Sequence, residues 1–172
     1  IDVKTGAILA IASKPDMNSN DFVDGSFAKK ADYYNDKKLL PVYNRAIQGT
    51  YPPGSTFKPI TAMAGLASGK VKVTDASIYC DGRYWKPPYI KCWNAHGAVN
   101  FHKAIAVSCN TYFQHVGDQA GIKYIDQVAR EFGLGEKTGL TDLLGESAGI
   151  LPSPERKKEL NEKWVLEKHE EK

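Results

Sequence analysis

Two pairs of residues carry the first chemical signal in this 172-residue sequence: Ser55 with Lys58 in "YPPGSTFKP", and Ser108 with Asn110 in "VSCNTY". On a helix, positions i and i+3 share a face, so the Ser55 hydroxyl and the Lys58 amine can meet. A serine hydroxyl is a weak nucleophile until a base takes its proton, and a lysine whose pKa is lowered by burial or by a second cation can take it. In a first helical turn, Ser55 also lies where unpaired backbone N–H groups favour developing negative charge. Pro52, Pro53 and Gly54 stiffen the approach, and Pro59 comes early enough to cost little helical hydrogen bonding. The chemistry this suits is acylation of a serine. Each pair alone also has a plain structural account, with Ser55 a helix cap beside a solvated Lys58, Ser108 a helix end and Asn110 the next cap.

Cys80, Cys92 and Cys109 form the other reactive set. Their odd number allows at most one intrachain disulfide. Cys80 and Cys92 flank eleven residues rich in Pro, Tyr and Gly, where a bridge would tie down a segment with little core of its own and would suit an oxidising compartment. His96 and His102 lie nearby, but the spacing lacks the usual zinc-ligand rhythm, so free or bridged thiols rank above metal.

The elements that must position these residues can be read from periodicity. "IDVKTGAILAIAS" reads as a hairpin with a turn at Lys4-Thr5-Gly6 and a buried strand over Ala7–Ala12. Loop residues then dominate to position 50, with one short helix near Phe27–Tyr34. From Ser55, apolar residues Phe57, Ile60, Met63, Ala64 and Ala67 recur at helical spacing up to a stop at Gly69. A turn-rich insertion spans Val71–Gly97. Two short helical patterns follow and break at Ser108-Cys109-Asn110, and an amphipathic helix in "GIKYIDQVAREFG" closes at Gly133. The residues from 155 to 172 are dense in charge, as expected of a solvated helix or a frayed end. With 42% apolar residues the chain can bury a core, and a net charge of +3 interleaved with acids argues against nucleic acid as a partner. No run approaches the ~18 apolar residues of a membrane span.

In company, these segments resemble a known family. "YPPGSTFKPITAMAGLASG", "AHGAVNFHKAIAVSCNTYFQHVGDQAGI", "FGLGEKTGL" and "GILPSPE" look like the transpeptidase domain of class B penicillin-binding proteins, nearest to the elongation-type enzymes of the rod-shape machinery. The likeness runs in family order from Ile1 to about Pro154, so that residues 1–154 are expected to be a partial transpeptidase domain and 155–172 a charged tail. It implies an α+β fold shared with serine β-lactamases, an antiparallel sheet packed by helices with a helical lobe. It maps the acylated nucleophile onto Ser55, its proton acceptor onto Lys58, a proton relay to the leaving amine onto Ser108, and a hydrogen bond to the substrate's amide onto Asn110, with the Ser55 N–H as half an oxyanion hole. It further implies D-Ala-D-Ala stem peptides and β-lactams as ligands, elongation-machinery membrane proteins as partners of the parent, an extracytoplasmic location, and neither metal nor organic cofactor. A β-lactam sensor, a β-lactamase and a non-catalytic interaction module are the rival readings.

The family's third motif, K-T-G, is expected on a sheet strand downstream of S-x-N. Lys4-Thr5-Gly6 precedes it, and Lys137-Thr138-Gly139 matches a structural turn, so both read as turns. After Trp164 the sequence departs from the family, which implies a domain incomplete at both ends. Without the strands that face Ser55, acylation is expected to be weak and self-association favoured.

Overall fold

The computed structural model describes residues 1–170, those from 163 onward as backbone only. They form two compact units, one of Ile1–Tyr51 with Lys137–Ala148 and one of Pro52–Glu136 with the residues from Gly149 onward.

In the first unit the expected turn forms. The Asp2 carboxylate accepts the N–H groups of Lys4 and Thr5 (2.8 and 2.9 Å), and Gly6 takes φ +74°, which a side chain would resist. The buried strand over Ala7–Ala12 does not form. A strand exists by its ladder, and beyond the bond from the Asp2 N–H to the Ala7 carbonyl this segment finds none, so Ile8, Leu9 and Ile11 stay exposed. The short helix expected near Phe27–Tyr34 is present as a 3₁₀ turn, Ala28–Lys30, leading into α1, Ala31–Tyr34. It closes over Asp21, whose buried carboxylate takes Lys30 at 2.8 Å and the Tyr34 hydroxyl at 2.6 Å. Lys137-Thr138-Gly139 is irregular backbone, in no strand and just before the turn at 141–145: the Thr138 N–H and hydroxyl both donate to the Glu146 carboxylate, and Gly139 has φ +87°.

The second unit is built on α2, Lys58–Ala67, which packs against α4, Asn110–Ala120, and α5, Ile122–Glu131. Ile60 and Ala64 of α2 meet Ala120, Val128 and Ala129, while Ala62 joins Phe113 and Val116 in a second cluster. The approach is close enough that a Cβ on Gly65 would lie 2.5 Å from the Val116 Cγ1. The helix pattern expected from Ser55 begins one turn as 3₁₀, Gly54–Phe57, before α2 proper. α3, Phe101–Ala106, starts at Asn100, whose side chain accepts the Lys103 N–H at 2.9 Å.

The insertion holds order that its composition concealed. β1, Ile78–Cys80, pairs antiparallel with β2, Gly97–Val99, in the register Ile78 with Val99 and Cys80 with Gly97. Between them the chain keeps folding back on itself, with the Cys92 N–H on the Gly82 carbonyl (2.8 Å) and the Tyr84 N–H on the Ile90 carbonyl (3.0 Å). Buried Tyr84 then pins this arm to α4 by donating to the Asp118 carboxylate at 2.6 Å. The charged C-terminal segment is helical as α6, Pro154–Glu170, and its last two residues lie outside the described ones. Helices with a small antiparallel sheet make the expected α+β class.

Candidate active site

The site forms where the start of α2 meets the break between α3 and α4. Gly54, at φ +58°, turns the chain after Pro52-Pro53 so that Ser55 enters the 3₁₀ turn and Lys58 begins α2. Across from them α3 stops at Val107, and Ser108 takes φ +49°, a conformation rare for a residue with a side chain, before Asn110 opens α4.

The Lys58 ammonium joins the two motifs. It donates to the Ser108 carbonyl at 2.6 Å, the Ser108 hydroxyl at 2.9 Å and the Asn110 Oδ1 at 2.7 Å, and lies 5.7 Å from the centre of the Phe113 ring. Three acceptors satisfy its three N–H bonds. Burial pushes its pKa below the ordinary lysine value, with the neighbouring Cys92 and Cys109 pulling the other way. The Asn110 amide is fixed from both ends: with Oδ1 on Lys58, its Nδ2 donates to the Lys91 carbonyl at 3.1 Å. Lys58, Ser108 and Asn110 are therefore brought together as the sequence suggested. Ser55 is exposed on the same turn as Lys58, and its hydroxyl makes no hydrogen bond among the described residues.

Behind this triad lies a constellation that linear spacing did not reveal. Cys80, Cys92, His96 and Cys109 each offer one donor atom, and all four lie within 4.8 Å of one another. His96 Nδ1 is 3.7 Å from the Cys80 sulfur and 3.5 Å from that of Cys92, and the Cys92 and Cys109 sulfurs are 3.9 Å apart. Around a tetrahedral zinc ion with Zn–S bonds of about 2.3 Å, neighbouring sulfurs would be about 3.8 Å apart, so the set fits a Cys₃His centre. The Cys80–Cys92 bridge suggested by the sequence is not formed, since all three cysteines are free thiols gathered around His96. Spacing ranked metal below thiols because the ligands come from β1, the arm, and the α3–α4 break, which only the fold assembles. Burial holds the Cys109 thiol well above its ordinary range; burial also raises Cys80, but hydrogen bonding with Thr111, His96 and the Gly82 backbone outweighs it and brings that thiol to about 6.

Similarity to known proteins extends over almost the whole chain. Residues 1–165 match the family model of the penicillin binding protein transpeptidase domain. The peptidoglycan D,D-transpeptidase MrdA of Acinetobacter baumannii is 45% identical over 172 residues, a match that covers 96% of this chain and 25% of the relative. Among solved structures, Pseudomonas aeruginosa PBP2 in complex with WCK 5153 superposes with a TM-score of 0.80 at 34% identity, covering 92% of this chain and 37% of that one. The PBP2 of Helicobacter pylori in complex with MreC gives 0.78 at 32% identity, covering 87% and 28%. The chain thus spans about a quarter of the length of the curated relative it matches.

Proposed function

This chain belongs to the penicillin-binding-protein transpeptidase family, and on that premise we propose that it carries the acyl-transfer half-site of a peptidoglycan D,D-transpeptidase. Ser55 is the nucleophile. Its Oγ bonds to the penultimate D-Ala carbonyl carbon of a stem peptide while Lys58, in its neutral form, takes the hydroxyl proton. The tetrahedral intermediate collapses by breaking the peptide bond, and the departing D-Ala nitrogen receives a proton relayed from Lys58 through the Ser108 hydroxyl. A second stem's amine then attacks the acyl-serine, loses its proton to the same relay, and leaves Ser55 free. β-Lactams enter the same first step and remain as acyl-serine.

The observation that carries this reading is the Lys58 ammonium held simultaneously by Ser108 and Asn110 at 2.6 to 2.9 Å, which makes one proton-handling unit of residues fifty positions apart in sequence. The complex of Helicobacter pylori PBP2 with MreC supports a protein partner for the full-length protein, and a stem-peptide substrate supports a location outside the cytoplasmic membrane. No helix among the described residues is long and apolar enough to cross a membrane. Replacing Ser55 by Ala in the full-length protein should abolish its peptidoglycan cross-linking. Cross-linking that survives this change would favour a non-catalytic role.

A further inference from the structure

Three consecutive residues of the arm between β1 and β2 grip the turn that carries Ser108 and Asn110. The Lys91 carbonyl accepts the Asn110 Nδ2 at 3.1 Å, the Cys92 sulfur accepts the Asn110 backbone N–H at 3.2 Å, and the Trp93 indole Nε1 donates to the Val107 carbonyl at 3.0 Å. Val107 is the last residue before Ser108, and the peptide that Trp93 holds is the one leading into the left-handed Ser108. Such a backbone is unfavourable for a residue with a Cβ, so the turn needs tethers from outside itself.

Trp93 is the least expected of the three. It is 66% exposed, so burial does not explain it, and its ring meets His96 in a T-shaped contact with centroids 4.9 Å apart at 71°. Its polar end is nonetheless spent on the one carbonyl that leads into the active-site turn. Trp85, on the same arm and 48% exposed, is a natural control: its ring lies tilted against Tyr84 and His115, and among the described residues it makes no hydrogen bond to the turn.

We propose that Trp93 is a positioning residue for acyl transfer, whose indole N–H, together with Lys91 and Cys92, holds the Ser108–Asn110 turn in the geometry that presents both side chains to Lys58. This deepens the transpeptidase reading and rests on it. Trp93 makes no hydrogen bond to Ser55 among the described residues. It acts through the Val107 peptide, so its loss should slow the chemical step rather than weaken encounter with the ligand.

The test is the acylation of the full-length protein by a fluorescent penicillin, resolved into the pre-acylation binding constant and the acylation rate. Trp93→Phe keeps the ring and removes the N–H, and should lower the acylation rate about 3- to 10-fold, the range of one net hydrogen bond, with the binding constant unchanged. Trp85→Phe should match the unaltered protein. An unchanged rate in Trp93→Phe, or a loss confined to binding, overturns the proposal. If Trp93→Phe folds poorly by circular dichroism, benzothienylalanine at position 93 replaces only the N–H by sulfur and decides the same question. A separate arm needs no activity: in a ¹⁵N spectrum of the 172-residue chain, Trp93→Phe should shift the Asn110 side-chain amide and the Ser108 amide, and Trp85→Phe should not. Labelling that persists in Ser55→Ala would sink the transpeptidase reading, while this spectrum would still accept or reject the Trp93 tether.

Discussion

In the proposed mechanism Lys58 serves as a base, yet it is held as a donor by three oxygens, and the resolution lies in its burial. An ammonium removed from water loses solvation that Ser108 and Asn110 only partly restore, so its proton leaves at a lower pH than that of a solvated lysine. Only the neutral amine accepts the Ser55 proton. The acylation rate of the full-length protein should therefore climb with pH and level off below the ordinary lysine value of about 10.4, a limb that stopped-flow labelling would locate. A midpoint at or above that value would mean that Lys58 is not the base. Lys58→Ala should cost about 10²- to 10⁴-fold in the same assay, the usual worth of a positioned proton acceptor. At this scale the sequence was highly legible, because Ser55, Lys58, Ser108 and Asn110 lie in short motifs whose order is informative. It was silent on the Lys91 carbonyl and the Val107 carbonyl, since backbone groups have no letter of their own.

At the scale of elements, the helices were the readable part and the β-arm was not. Apolar residues at helical spacing, with Gly69 and Gly133 as stops, foretold α2 and α5, and the break at Ser108-Cys109-Asn110 separated α3 from α4 as expected. The segment from Val71 to Gly97 offered only turn residues, because its order comes from Tyr84 reaching Asp118 and from thiols converging on His96, both long-range events without a period. Two predictions belong here. Gly65 lies where α2 and α4 touch, so Gly65→Ala forces its new methyl against Val116 and should destabilise the helical unit by about 1–3 kcal/mol, seen as a lowered thermal midpoint. The Cys₃His cluster should hold one zinc ion per chain when the purified protein is analysed by plasma mass spectrometry, and chelation or Cys92→Ser should lower the thermal midpoint. Stoichiometric thiol labelling with no bound metal would show the cluster to be a set of free thiols only.

The whole chain presents a half-site with exposed neighbours. Among the described residues Ile8, Leu9 and Ile11 are exposed in a segment without strand pairing, and the Ser55 hydroxyl makes no hydrogen bond. An unpaired apolar segment is a template for association, so the isolated 172-residue chain should sediment as concentration-dependent oligomers. The opening strand was misread for the same reason: alternation and apolar content predict what a segment would do in a sheet, and no strand lies beside it here to make one. The central claim remains that Ser55 is the acylated nucleophile of the full-length protein. Its most direct test is intact-mass and peptide mapping after incubation with a penicillin. A single adduct is expected on the peptide containing Ser55, absent in Ser55→Ala, and an adduct that persists in that variant or maps to another residue would contradict acylation at Ser55.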